Sequence, residues 1–405
     1  MTFYNKKATP MRRISARHRE KGAATLVTAI VLMVVMLGIS FYTSETVITE
    51  KKVVANDYRA KQAFNSAQAG LDYGIAYART GVDQDDNSVV DLSVGSGATS
   101  AIGQGSYSVT LTDISTSADM SLIRVDSQGF SDDNLVQRDV SVLIGEVPVL
   151  PNPPSLPVVA RSNINTTGNL QIYNHFENLN VWTGADLDSW GSSDTYVRDP
   201  DWSGFAGDTW DGTPADLERH LTATNNTVVD IPSIQSTTKN TRGPDVIDGD
   251  TNLGTLSGSE FIENFFGTDI EGLTNKAGES YTSGTFGSAS WADMTGIVYL
   301  NDGTDGPTGT FQISSNGTIG SPSSPVILVV DGDIRLSGNV TIYGLVVARN
   351  FLSAAGTVDV IGGVVAETQI QRANGTFSVY YDPGISAELA DLKKMEVVRG
   401  SWQDW

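Results

Sequence analysis

The chain has 405 residues, of which 40% are apolar, 18% are charged and none is cysteine, and its formal net charge is −21. This length allows roughly two or three domains, and the apolar content excludes a disordered polyelectrolyte. The negative charge excludes broad nucleic-acid binding, and the missing cysteines exclude disulfides, thiolate metal sites and cysteine nucleophiles. With only three histidines, a multi-histidine metal site is not expected.

The charge is divided unevenly along the chain. Residues 1–22 carry seven Lys and Arg side chains against one Glu, a net charge of +6. The remaining residues carry 19 basic and 46 acidic side chains, a net charge of −27. The run of 22 residues from Ala23 to Ser44 is uncharged. As a helix it is about 33 Å long, enough to cross a bilayer core of about 30 Å, and the basic residues before it predict a cytoplasmic N-terminus.

Two simpler interpretations of this run stay open. A cleaved Sec signal normally has an apolar region of about 7–15 residues that ends in a small-residue site. The sequence FYTS at 41–44 has no such site. An uncleaved signal anchor fits both the length and the charge.

The junction before the run supports a more specific interpretation. Basic residues, then Lys21-Gly22, then Ala23 opening an apolar helix resemble the class III leader of type IV pilins and type II secretion pseudopilins. The resemblance implies that a prepilin peptidase cuts between Gly22 and Ala23 and methylates the new N-terminus. Most major pilins carry Glu at the fifth mature position, which here is Val27. The resemblance therefore implies a tip or initiating minor subunit and not a bulk fibre subunit.

The helix is predicted to continue past the membrane, because no proline lies between Pro10 and Pro148. Apolar residues at steps of three and four predict a face that packs under a globular head, made of Val54, Tyr58, Phe64, Ala67, Leu71, Ile75 and Ala78. Gly38, Gly70 and Gly74 are expected weak points in the helix, each costing about 1 kcal/mol relative to Ala. Gly38 could also be a helix-packing contact.

The segment RAKQAFNSAQAGL at 59–71 resembles the AFxxAxAGL stretch of PilX-type pilus assembly proteins. Together with the leader and the span, this resemblance covers about residues 11–80. It implies a helix over 23–80 that first holds the protein in the inner membrane and then enters the core of a fibre. The assembly positions assigned to it are Val27, Leu32, Leu37 and Gly38.

Three stretches of alternating apolar residues follow, at 105–112, 121–126 and 135–144, and predict an antiparallel meander. The meander would form a small pilin head over 81–147. Five of the 14 prolines then lie within 148–157, which predicts a stiff linker at a domain boundary.

The C-terminal region repeats at 18 residues. Aliphatic pairs at 328–329, 346–347 and 364–365 are in register, and 158–174 is a further copy far upstream. This pattern predicts a parallel β-solenoid with rungs at 158–174 and 321–382. It leaves 175–320 as a large insertion rich in Trp, Asp and Gly. The last segment, 383–405, is expected to form a cap, with Trp402 or Trp405 covering the open rung.

The predicted insertion offers the main candidates for ligand binding. Trp182, Trp190, Trp202 and Trp210 lie among Asp and Asn residues and could stack on sugar rings, or they could simply fill a core. Asp248, Asp250 and Asn252 occupy the first oxygen positions of a calcium loop, but Leu253 and Ser259 break the pattern, so an Asx-rich turn is the competing interpretation.

An enzyme is not expected. The chain has no nucleotide-binding loop, nucleophile elbow or zinc-protease motif. Some parallel β-helices cleave polysaccharides with clustered carboxylates, but Asp331, Asp333 and Asp359 fit solvated turns equally well.

The sequence thus predicts an α+β chain, with a long pilin-type helix and a small antiparallel sheet, followed by a mainly-β parallel β-solenoid domain with a large insertion. The function expected from the resemblance is that of a minor pilin of a type IV pilus or secretion pseudopilus. Its partners would be other minor and major pilins, the prepilin peptidase and the inner-membrane assembly platform, and a surface glycan or another surface could be its ligand. No cofactor is expected apart from the calcium alternative. The chain would cross the inner membrane once and reach the periplasm or the cell surface.

A membrane-anchored envelope binding protein with no role in a pilus is the alternative.

Overall fold

The computed structural model describes residues 17–80, 100–102, 105–115, 121–165, 168–187, 191–208, 211, 213–301, 303, 309–371 and 375–404. At 17–23, 80, 100–102 and 351–355 it describes the backbone alone. The chain forms two compact units: unit 1 is Met1–Gly145 with Val397–Trp405, and unit 2 is Glu146–Glu396. Unit 2 is therefore inserted into unit 1, because the chain returns to unit 1 for its last residues.

Seven α-helices are described: α1 Arg17–Thr80, α2 Pro214–Thr224, α3 Thr251–Gly254, α4 Gly258–Phe266, α5 Ile270–Asn275, α6 Ser283–Phe286 and α7 Pro383–Ala390. Short 3₁₀ turns lie at Val228–Asp230 and Trp291–Asp293. The described strands are β1 Ser100–Ile102, β2 Gly105–Asp113, β3 Leu122–Phe130, β4 Gln137–Pro148, β5 Val158–Ala160, β6 Ile164–Asn165, β7 Asn169–Asn174, β8 Val181–Thr183, β9 Asp194–Arg198, β10 Ser233–Thr237, β11 Val246–Ile247, β12 Glu279–Thr282, β13 Gly296–Asn301, β14 Thr310–Ile313, β15 Gly317–Ile319, β16 Val326–Gln371, β17 Thr376–Tyr380, β18 Lys393–Val397 and β19 Gln403–Asp404. The chain is thus α+β, with a long N-terminal helix and a mostly-β C-terminal part.

Unit 1 contains an antiparallel meander in the order β1-β2-β3-β4. The three stretches predicted as strands overlap β2, β3 and β4. One face of this sheet receives the helix. Buried on that face, or where it continues across the sheet, are Val109, Val125 and Val142. The last strand, β19, pairs antiparallel with β4, so the end of the chain belongs to this sheet.

The second half of α1 packs on this meander through its smallest residues. Ala63, Ala67 and Ala78 are fully buried. A Cβ on Gly70 would lie 2.3 Å from the Ser127 hydroxyl oxygen, and a Cβ on Gly74 would lie 2.5 Å from the Val125 side chain. These two glycines were expected to weaken the helix. The structure shows that they let it approach the sheet closely.

The apolar face of α1 is therefore shorter than the sequence predicts. Ala67, Leu71 and Ala78 are buried, whereas Val54 and Tyr58 are 68% and 57% exposed. Phe64 and Ile75 are half-buried. The sequence stripe was wrong at its first two positions because apolar spacing does not show where the covering sheet begins.

Unit 2 is built on a mixed sheet of 13 strands. The strand β16 pairs parallel with β5, β6, β13, β14, β15 and β17. Further parallel pairs join β5 with β8, β8 with β11, β7 with both β9 and β17, and β12 with β13. The pair β9–β10 is antiparallel.

The 46-residue strand β16 contacts itself at an offset of 18 residues. A Cβ on Gly356 would lie 2.4 Å from the Gly338 carbonyl oxygen, and one on Gly362 would lie 2.2 Å from that of Gly344. All four glycines have φ between 110° and 145°. Only glycine adopts such a conformation readily and also leaves room for the neighbouring backbone, so the repeat needs glycine at these turns.

Consecutive residues of β16 enter two different apolar clusters. Leu328 belongs to the inner cluster, which also contains Leu170, Ile342 and Val360. Its neighbours Ile327 and Val329 belong to an outer cluster, which contains buried side chains from α2, α3, α4, α5 and α7. The uninterrupted apolar run VILVV is thus explained by burial on both faces of the strand.

Three predicted boundaries differ from the structure. The segment 175–320 is not a separate insertion, because β8, β9 and β11–β15 pair within the 13-stranded sheet. These strands are two to six residues long, too short to show the 18-residue repeat. The proline-rich segment 148–157 is not a free linker either, because Val149, Leu150 and Leu156 are buried in the outer cluster.

The predicted cap over 383–405 is also corrected. Helix α7 joins the outer cluster through Ile385 and Leu389, while Val397–Trp405 belongs to unit 1. Trp402 is 49% exposed, and Trp405 lies outside the described residues. Near β14 it is Phe286 of α6 that packs on Phe311, with ring centroids 5.5 Å apart.

We expect Gly129→Ala to destabilise unit 1. A Cβ at Gly129 would lie 2.1 Å from both the Ala63 carbonyl oxygen and the Ala67 amide nitrogen, which are backbone atoms that cannot turn away. Overpacking of this kind costs about 1–3 kcal/mol. Hydrogen exchange of the purified chain in detergent should show faster exchange in β3 and β4. Gly38→Ala is the control, because nothing lies within 4 Å of its Cβ, and equal exchange in both variants would contradict the close packing.

Candidate functional site

The N-terminal half of α1 is covered by no other described part of the chain. Its large apolar side chains are all 47–75% exposed and lie on every side of the helix: Leu26, Val27, Ile30, Val31, Leu32, Met33, Val34, Val35, Met36, Leu37, Ile39, Phe41, Tyr42, Val47, Ile48, Val53, Val54 and Tyr58. Such a surface is costly in water and needs lipid or other helices around it. By length and composition, α1 is the one helix of the described residues that could span a membrane.

Five hydroxyl groups on this surface are bonded within the helix. The Thr28 hydroxyl donates to the Ala24 carbonyl at 3.0 Å, that of Ser40 to Met36 at 2.8 Å, and that of Thr43 to Ile39 at 3.0 Å. Thr46 and Thr49 follow the same pattern. A polar group inside a bilayer must find its partner in the protein, and these groups find it one turn back along the same helix.

The residues predicted for processing and assembly all lie in α1. Gly22 and Ala23 are helical and lie in the part of α1 that is described by its backbone alone. Val27, Leu32 and Leu37 are among the exposed apolar side chains. Gly38 has open space around it, so it makes no packing contact within the described chain.

The predicted tryptophan surface is divided between different surroundings. Trp182 packs on the outer cluster, and its indole N–H donates to Asp250 at 2.9 Å. Trp202 packs on the same cluster and meets Phe205 edge-on, with centroids 4.9 Å apart. Trp190 and Trp210 lie outside the described residues. The two described tryptophans thus contribute to packing.

The candidate calcium residues have local partners. Asp248 forms an ion pair with Arg242 and accepts from the Leu187 amide. Asp250 caps α3 by accepting from the Asn252 amide at 2.9 Å, and its bond from Trp182 is the main reason that its pKa is lowered. Among the described residues, no group of three or more His, Cys, Asp or Glu side chains is arranged to hold a metal ion.

A column of alternating charge, missed by the sequence analysis, crosses β16. The Arg349 Nε donates to Asp331 at 2.7 Å, and its Nη1 donates to both carboxylate oxygens of Glu367 at 2.9 Å. Arg161 continues the column by donating to the Glu367 carbonyl at 2.7 Å. Burial raises the pKa of Glu367, while the charge of Arg349 acts against that rise. The signal was present in the sequence, because Asp331, Arg349 and Glu367 are spaced by the repeat length of 18.

Comparison with known proteins finds a match in the N-terminal segment. Residues 21–72 match the family model described as PilX N-terminal. No curated protein matches the chain.

Two solved structures align with weak similarity. The competence-associated pilin ComZ of Thermus thermophilus aligns at 11% identity with a TM-score of 0.22, over 86% of this chain and 97% of that one. An ice-binding protein domain (DUF3494) of Shewanella frigidimarina aligns at 13% identity with a TM-score of 0.16, over 58% of this chain and 98% of that one.

We expect His175 to make unit 2 sensitive to acid. The side chain is 3% exposed, and burial, with a further contribution from the charge of Arg198, lowers its pKa from 6.5 to about 4. Between these values the unfolded chain binds a proton that the folded chain does not. The free energy of unfolding should therefore fall as the pH drops from 6.5 to 4, by about 3 kcal/mol in total.

The measurement is urea unfolding at a series of pH values for the chain and for His175→Phe, which removes the titrating group. The difference between the two curves isolates this histidine from the carboxylates. Parallel curves for the two proteins would show that His175 does not carry the effect.

The residues matched by the family model include most of the uncovered part of α1, so the N-terminal segment of this chain is pilin-like.

Proposed function

We propose that this protein is a minor pilin of a type IV pilus or a related secretion pseudopilus. One observation carries the proposal: the helix that matches the PilX N-terminal model leaves its first half without cover, and that half is uncharged from Ala23 to Ser44. A membrane anchor needs such a surface on all sides, and so does a helix that later packs among other helices in a fibre.

A helix that moves from lipid into a fibre should carry no charge within the part that both surroundings bury. The span offers apolar side chains and hydroxyl groups bonded within the helix, so lipid tails and neighbouring helices can surround it equally well. Glu45, Glu50, Lys51 and Lys52 follow directly after the span and remain at the membrane surface or beyond it. Assembly by apolar helix packing needs no catalysis and no cofactor.

The leader is proposed to be removed before assembly. Cleavage after Gly22 would detach a segment with a net charge of +6, which otherwise holds the N-terminus on the cytoplasmic side. The new N-terminal amine would have no carboxylate at position 27 to pair with in a neighbouring copy, because Val27 stands there. This absence favours a place at the tip or at initiation of the fibre.

Unit 2 is proposed to be a β-solenoid module that the pilus presents. Its parallel strand pairs, the glycine contacts at an offset of 18 residues and the charge column of Arg349 all support stacked rungs. The register Tyr380–Tyr173–Tyr196 supports them too, because both pairs of rings stack with centroids 4.5 Å apart. Surface contact, with glycan or another surface as ligand, would be the task of this module.

N-terminal mass analysis tests the pilin proposal. We expect the mature chain to begin at a methylated Ala23 in cells with an active prepilin peptidase, and Gly22→Val to retain the leader. Gly38→Val is the matched control, since it changes a glycine of the same helix beyond the cleavage site. An intact N-terminus in the unsubstituted chain would instead favour a membrane-anchored envelope binding protein.

A pair of deletions tests the solenoid. Removing residues 345–362 takes out one repeat and rejoins the turns at Gly344 and Gly363, whereas removing 345–353 leaves half a repeat and reverses the packing of the following residues. We expect the melting temperature of unit 2 to fall much less with the full deletion. Equal losses would contradict stacking of equivalent rungs.

A further inference from the structure

The described C-terminal tail, residues 397–404, lies along the outer edge of β4 in unit 1. The Val398 amide donates to the Leu143 carbonyl at 2.8 Å, and the Leu143 amide donates to the Ser401 hydroxyl at 3.0 Å. Further along, Gln403 pairs with Ser141 and Asp404 with Val140. The backbone of β4 between 140 and 143 therefore obtains its outer hydrogen bonds from the end of the chain.

The tail is held by few contacts. A turn closed by the Ser401 amide on the Val398 carbonyl interrupts its pairing, and Gly400 adopts a φ of +78° in that turn. Val398 is 38% exposed and Trp402 is 49% exposed. Neither side chain is fully buried, so the tail is less firmly held than the strands of the sheet beside it.

The edge beneath the tail is, by contrast, firmly formed. On its inner side β4 pairs with β3 without interruption from Gln137 to Gly145. Val140, Val142 and Ile144 are almost completely buried. Loss of the tail would leave an ordered strand with unpaired N–H and C=O groups, which is a template for another extended chain.

We propose that the β4 edge at Val140–Leu143 is a strand-acceptor site, and that the tail of a second copy of this chain occupies it when the chain's own tail is displaced. The occupant follows from the contacts, because the same tail in trans restores each hydrogen bond that the tail in cis makes. The inference concerns unit 1 alone and does not depend on the pilin function.

The test uses the full chain in detergent, a chain that ends at Glu396, and a fluorescent peptide of residues 397–405. We expect the shortened chain to bind the peptide saturably, and the full chain to bind it at least tenfold more weakly. A peptide with Val398→Pro is the matched control, because it lacks the N–H that donates to Leu143, and it should bind the shortened chain at least tenfold more weakly than the original peptide.

A second variant covers the case in which the shortened chain does not fold. Val398→Pro in the full chain keeps every residue of β4 but removes the first hydrogen bond of the tail, so this protein should also bind the original peptide. Failure of every folded variant to bind the peptide would overturn the proposal. Equal binding of both peptides would overturn it as well, because binding would then not follow the strand pairing.

Discussion

The structure depends on one constraint, which is that α1 carries more apolar surface than its own chain covers. From Arg59 onward the helix has a partner, and its small residues fit the sheet of unit 1 at backbone distance. Before that point, and above all over the uncharged run from Ala23 to Ser44, the apolar side chains of the helix are exposed on all sides and the described chain supplies no partner. The half of the helix after this boundary stabilises the protein by packing on its own sheet. The half before it is exposed to the protein's surroundings. The ion pair between Arg59 and Asp133, at 2.6 Å, lies at this boundary.

The two units solve the problem of strand edges differently. In unit 2 the inner strands pair with neighbours on both sides, and Phe286 packs on Phe311 of β14 with ring centroids 5.5 Å apart. Column contacts such as Asp331–Arg349–Glu367 hold this register, because a shift by one residue would bury unpaired charges. In unit 1 the outer edge of β4 at Val140–Leu143 is covered by the tail. Strand edges in the larger unit are thus paired within the repeat, whereas the β4 edge in the smaller unit is paired by the tail.

Much of this architecture could be predicted from the sequence where a pattern is long. The uncharged run from Ala23 to Ser44, the alternating strands of unit 1 and the 18-residue spacing of glycines each extend over enough residues to stand out. Short elements gave no such signal, and strands such as β8 and β11, of three and two residues, were hidden among loops. The apolar residues Val149, Leu150 and Leu156 were obscured by the prolines between them. The roles of Gly70 and Gly74 could not be predicted, because a glycine in a helix looks like a weakness until the surface facing it is known.

The insertion of unit 2 also explains how so distant a tail can reach β4. Leu143 and Ser401 are separated by 258 residues, and closing a flexible loop of that length would cost much conformational entropy. Within unit 2, however, the segments that enter and leave the unit are neighbours. The Val149 amide donates to the Leu392 carbonyl at 2.9 Å, and the Lys393 ammonium nitrogen lies 3.6 Å from a Glu146 carboxylate oxygen. Once unit 2 has folded, only a few residues remain between this junction and the tail's site on β4. Packing in the core of unit 2 then offsets the entropy cost of closing the long loop. The tail itself needs only the small stabilisation that its few hydrogen bonds provide. A tail held by so few hydrogen bonds has the weak attachment that a displaceable edge strand requires.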